Sequence, residues 1–126
     1  MPEIEPELDR RIEELYHQTM DRRIASGKPS GDRYTGRHLF QHLTANGVEI
    51  IAAGSSDWVV VPHGDGYPED EAYFLYFIIH TISAALVDHP DLDRRRFEQW
   101  VEERHRQIER GELVYIAHQL DILGRR

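Results

Sequence analysis

The run from Ala72 to Ile79, Ala-Tyr-Phe-Leu-Tyr-Phe-Ile-Ile, constrains the fold of this chain more than any other feature. Pro68 and the acidic Glu69, Asp70 and Glu71 precede it, suited to a helix's first turn and the positive end of its dipole. Asp88-His89-Pro90 ends it. The spacing predicts a helix over about Glu69 to Val87 that is apolar nearly all round. Such a helix is sandwiched or lies at an interface, because no face of it gains from water. The remaining elements have to supply that cover. The run falls far short of the roughly 20 residues a membrane-spanning helix needs.

Upstream, Pro6-Glu7-Leu8 opens a helical pattern in which Leu8, Ile12, Leu15, Tyr16, Thr19, Met20 and Ile24 recur at three- and four-residue steps. Ser26-Gly27-Lys28-Pro29-Ser30-Gly31-Asp32 breaks it with turn formers. A second helix is expected over about Thr35 to Ala45, stopped by Asn46-Gly47. Val48 to Ala53 and Asp57 to Val61 read as strands, with Gly54-Ser55-Ser56 able to make a hairpin turn between them. His63-Gly64-Asp65-Gly66-Tyr67-Pro68 reads as a loop. Asp91-Leu92-Asp93 starts a fourth helix, carrying Phe97, Trp100, Val101, Arg104 and Ile108 on one side and closed by Gly111. Glu112 to Leu123 fits a strand through Val114, Ile116, His118, Leu120 and Ile122, and a helix through Leu113, Ile116, Ala117, Leu120 and Leu123. Val-Tyr-Ile and the Gly111 stop favour strand.

These elements make an α+β fold: about four helices on a small, mainly antiparallel three-stranded sheet, which dimerisation can complete. With 126 residues the chain suits one domain, 1–126, and its 40% hydrophobic and 30% charged residues are a globular composition. The net charge of -8 argues against nucleic acid or an anionic membrane as partner, since both call for a basic surface. The absence of cysteine removes disulfides, thiolate metal sites and cysteine nucleophiles. Met1-Pro2-Glu3-Ile4-Glu5 has neither a basic nor an apolar leader region, so the expected location is cytoplasmic.

Three stretches carry a resemblance. Gly36-Arg37-His38-Leu39-Phe40-Gln41-His42-Leu43-Thr44-Ala45-Asn46-Gly47-Val48 has the form G-R-x-L-x-x-x-L-x-x-x-G-V, and resembles the helix entering the sixth strand of class I S-adenosylmethionine-dependent methyltransferases. Ile50 to Val61, centred on Gly-Ser-Ser-Asp-Trp, looks like that strand and its continuation. Gly111 to Arg125 is similar to the closing strand of one subgroup of these enzymes. The helices between would be an insertion. The resemblance runs from about Asp9 onward and implies a methyltransferase-related protein corresponding to the C-terminal, acceptor-side part.

The family binds its methyl donor in an N-terminal half, through a glycine-rich turn after the first strand and an acid on the ribose hydroxyls. Gly54 and Gly64-Asp65-Gly66 are the nearest candidates here, and neither has the G-x-G-x-x-G form between a strand and a helix. The chain is therefore expected to bind no cofactor and to be inactive alone, taking S-adenosylmethionine only with the missing half. Its partners would be a second copy of itself or a separate donor-binding half, and the run through Tyr73, Phe74, Tyr76, Phe77, Ile78 and Ile79 is the first place to look for contact. The alternative is a non-catalytic dimeric scaffold or small-ligand-binding module.

The resemblance places Arg22, Arg23, Tyr34 and Arg37 near the acceptor side, although Arg22 and Arg23 are as well explained as solvated helix surface. Trp58 would wall an acceptor pocket, or else fill core or interface. His80 joins them as a substrate contact, against the plainer reading of a satisfied core histidine, which also applies to His118. No catalytic residue and no metal ligand is assigned. His38 and His42 have a ligand-like spacing but lack the H-E-x-x-H pattern, and among eight histidines such a pair arises by chance. Asp91 and Asp93 read as residues of a helix start, and Gly54-Ser55-Ser56 makes no nucleophile elbow.

Overall fold

A computed structural model describes residues 1–64 and 66–126; Asp65, in the middle of the Gly64-Asp65-Gly66 stretch, lies outside the described residues. The elements are α1 (Pro6–Asp21), β1 (Ile24–Ala25), β2 (Lys28–Pro29), α2 (Thr35–Ala45), β3 (Glu49–Ser55), β4 (Trp58–Val60), α3 (Glu71–Leu86), α4 (Arg94–Glu109), β5 (Tyr115–Ala117) and β6 (Leu120–Arg125). The fold is α+β, with four helices and three separate two-stranded sheets among the described residues. None of the helices is long and apolar enough to cross a membrane. The chain divides into two compact units, residues 1–16 with 59–116, and residues 17–58 with 117–126.

The first unit contains the core. Leu8, Ile12 and Leu15 of α1 meet Leu75, Ile79, Ile82 and Leu86 of α3 and Phe97, Trp100 and Ile108 of α4, with Val60 and Leu113 completing the cluster. The steps of three and four residues put each set on one helix face. Phe97 and Trp100 stack with centroids 6.0 Å apart. Asp93 caps α4 by accepting a hydrogen bond from the Arg96 amide at 2.8 Å, the helix-start role expected of it. At the other end Gly111 takes φ +64, Glu112 N donates to Gln107 O at 2.7 Å, and Gly111 N donates to Ile108 O at 3.0 Å. This is a Schellman stop.

Polar groups tie the N-terminal segment into this core. Asp9 Oδ2 accepts from the amides of Ile4 and Glu5, while its Oδ1 accepts from Trp100 Nε1 and Arg104 Nη2, each at 2.6 Å. Arg104 is 2% exposed, lies over the Trp100 ring, and also donates to Gln107 Oε1 and to the Pro2 carbonyl. Burial pulls its pKa down and Asp9 opposes the shift. For Arg104 the desolvation outweighs the attraction, and among the described residues its buried Nε finds no hydrogen-bond partner.

In the second unit, α2 has the predicted bounds and ends on a second Schellman stop: Gly47 has φ +77, and Val48 N donates to Leu43 O at 3.0 Å. That stop turns the chain into β3, which pairs antiparallel with β6 from Glu49↔Arg125 to Ser55↔Leu120. A register shift between Ile50 and Ala52 leaves Ile51 as the extra residue of a bulge. Gly124 is needed opposite, since a Cβ there would lie 2.5 Å from Val48 Cγ1.

Three expectations change. No three-stranded sheet forms: β3 pairs with β6 and β4 pairs with β5. The predicted hairpin at Gly54-Ser55-Ser56 is absent because β3 continues through Ser55, with Gly54 paired to Asp121 and Ser55 to Leu120 of β6. The chain instead runs on from β3 into β4. Such a turn does exist at Ser26-Gly27, with φ of 52 and 76, where β1 pairs with β2. It takes Ile24 out of the first helix, which ends at Asp21. The final segment is strand, interrupted at His118-Gln119.

Candidate functional site

Within the second unit, α2 lies beside the β3–β6 pair and leaves an open groove of about 710 Å³. Leu39 and Leu43 line the helix side, and Ala52, Gly54, Leu120 and Ile122 are among the residues lining the sheet side. The volume is of the size that small-molecule sites occupy, and the lining is largely apolar with Asp121 as its one charged member. No residue of this unit is buried.

Before α2, the structure gathers Tyr34 and Arg37 and adds a residue that sequence reasoning passed over. The Arg37 guanidinium stands 5.3 Å from the Tyr34 ring centroid, and that of Arg33 stands 5.8 Å from it. Arg33 is fixed by Asp21, to which its Nη2 pairs at 2.7 Å while its backbone amide donates to Oδ1 at 3.0 Å. The Arg33 hydrogen bonds hold the Asp21 carboxyl below its ordinary pKa. The signal was present in the sequence as Arg-Tyr-x-x-Arg (Arg33 to Arg37), an aromatic between two cations. Tyr34 N donates to Asp32 Oδ1 and Asp32 N donates to Thr35 Oγ1, so the turn into the helix is pinned on both sides.

Arg22 and Arg23 are exposed where α1 gives way to β1, and neither makes a side-chain hydrogen bond or ion pair to Tyr34 or Arg37. Trp58 opens β4 at 38% exposure. His80 belongs to the first unit, on α3. It is exposed, which corrects the core-histidine reading: seven residues after Tyr73, it falls on the same face as Tyr73, opposite Leu75, Ile79 and Ile82. His118 is corrected in the same way, its side chain 80% exposed with Nδ1 3.1 Å from Asp57 Oδ2. The six candidate contacts therefore form no single constellation.

His38 and His42 have ring centroids 6.3 Å apart, and among the described residues no three His, Asp or Glu side chains converge as metal ligands. Gly54 lies inside β3, and His63 and Gly66 close a bridge by a 2.7 Å hydrogen bond that makes a tight turn. No family model, curated protein or solved structure matches the chain.

Proposed function

We propose that this chain is the acceptor-side, C-terminal part of a class I S-adenosylmethionine-dependent methyltransferase and works with a separate donor-binding half. The observation that carries this reading is the state of the second unit. It contains the G-R-x-L-x-x-x-L-x-x-x-G-V helix and the strand it enters, yet buries none of its residues. Its sheet has only two strands, so β3 and β6 each offer a free edge on which a larger sheet could continue. A helix–sheet layer with an open apolar groove is what a domain leaves when the elements that complete it are elsewhere.

What supports the lack of a donor site is the loop between β4 and α3, which carries Gly64 and Gly66 but has Glu69 where the third glycine of a G-x-G-x-x-G turn would stand. This chain's own contribution would be to hold an acceptor. The Arg33–Tyr34–Arg37 stack offers cationic and aromatic surface, the groove offers apolar wall, and Arg22, Arg23, Trp58 and His80 are further candidate contacts. Rate would come from orientation rather than from a catalytic side chain here. The second reading, a small-ligand module or dimeric scaffold, draws on the size of the same groove.

Calorimetric titration with S-adenosylmethionine tests the proposal. The chain alone should give no heat. Mixed with a donor-binding half bearing the glycine-rich motif, it should bind the donor and show slowed amide exchange in β3 and β6. A monomer that turns over the methyl donor unaided would sink the proposal.

A further inference from the structure

The strand pair of the second unit ends on a polar couple. Its last ladder partners are Gly54↔Asp121 and Ser55↔Leu120. Beyond them the final strand breaks at His118-Gln119, yet the side chains keep the same cross-strand order. Ser56 Oγ donates to Gln119 Oε1 at 3.5 Å, and His118 Nδ1 lies 3.1 Å from Asp57 Oδ2. An ionised carboxylate only accepts, so Nδ1 of the neutral ring carries the proton and donates it, which leaves Nε2 as an acceptor. No other group among the described residues bonds to this ring, and its side chain is open to solvent.

The couple stands at one end of the groove between α2 and the β3–β6 pair. Side chains alternate along a strand, so His118 falls on the face of Leu120 and Ile122, both of which line the groove. Two residues separate His118 from Leu120, about 7 Å of strand. From Leu120 to Leu123 the groove runs for about 10 Å, room for one or two fused rings. Its lining holds no cation, and Asp121 is its one charge. An anionic head would be repelled by Asp121 and Asp57, whereas a neutral hydroxyl can donate to the Nε2 lone pair.

We infer that the groove and the Asp57–His118 couple form one binding site for a neutral apolar alcohol or phenol. Its ring lies on Leu39, Leu43, Leu120 and Ile122, and its O–H donates to His118 Nε2. The inference rests on the groove as a small-molecule site, ground it shares with the proposed acceptor role, but it needs no methyl donor.

Fluorescence titration of the full chain with naphthol and with its methyl ether tests it, since the two share a ring system and differ in the hydroxyl proton. Naphthol should bind about fivefold tighter, the worth of one hydrogen bond. His118→Ala should abolish that preference while leaving the affinity for the ether unchanged, and Leu43→Ala should weaken both ligands alike. Equal affinities in the native chain overturn the inference. So does a preference for naphthoate, which would mark a cationic site, and so does a failure to bind naphthol at all. Naphthol binding without methyl transfer, after a donor-binding half and S-adenosylmethionine are added, counts against the methyltransferase reading and leaves this one standing.

Discussion

Among the described residues the first unit encloses twelve buried apolar side chains and a paired arginine, whereas the second, in which α2 lies against β3, encloses nothing. Both have sound secondary structure, and each has a helix closed by a Schellman stop at glycine. They differ in charge as well. The second unit sets Arg22, Arg23, Lys28, Arg33, Arg37, Arg125 and Arg126 against Asp21, Asp32, Glu49, Asp57 and Asp121, so it is net positive by two and the first unit carries a net charge of -10 within the chain's -8. Good local signals are thus enough to form elements but not to bury them. What holds an element in place is the apolar area it removes from water, and here only one unit removes it.

The sharpest way to break this contrast is to remove the ion that anchors the core. Asp9→Ala would leave Arg104 buried without its carboxylate and uncap the Ile4 and Glu5 amides, at a cost of about 3–5 kcal/mol in urea unfolding. Next come paired truncations. Ile79→Ala, at a fully buried position, should cost about 2–5 kcal/mol, while Leu120→Ala, at 49% exposure, should cost under about 0.5 kcal/mol. Equal losses would mean that the second unit has a core after all. Gly124→Ala sharpens the comparison from the other side. Its Cβ would meet Val48 and the Glu49 carbonyl, costing about 1–3 kcal/mol and showing as faster amide exchange confined to β3 and β6.

The smallest effect concerns protons. Asp21 has its pKa lowered by Arg33, so its contribution to stability is present above the unfolded carboxylate pKa and lost as pH falls through the folded value. Carboxyl NMR titration of Arg33→Ala should return Asp21 to the ordinary range. Tyr67 gives the opposite sign: burial raises its pKa, and its hydroxyl donates to the Leu113 carbonyl at 2.8 Å, a bond that only the protonated form can make. Its contribution is present below the unfolded tyrosine pKa and fades as pH rises through the folded value.

Much of this was readable in advance. The bounds of α2 and the Asp93 start and Gly111 stop of α4 follow from capping chemistry and periodicity within a few residues of each position, whereas α3, read as apolar nearly all round, buries only the face of Leu75, Ile79, Ile82 and Leu86. The turn at Ser26-Gly27 was announced by its dipeptide, but Ile24 continued the helical period and was counted with α1. The candidate site was less legible. Tyr34 and Arg37 come together because they are three apart at a helix start, and Arg33 could have been added on the same ground. His80 and His118 were placed inside by the apolar company they keep in the sequence, though helical phase and the exposed β5–β6 break put them outside.

By itself, then, the sequence determined the kind and extent of each element, because caps, turns and amphipathic spacing act over three or four residues. The tertiary structure alone decided that β3 takes β6 rather than β4, that Arg104 is met by a carboxylate 95 residues away, and that one seam of α3 stays bare. These outcomes depend on which distant surfaces meet, and strand edges and buried charges gain or lose free energy only through a partner that no local pattern names.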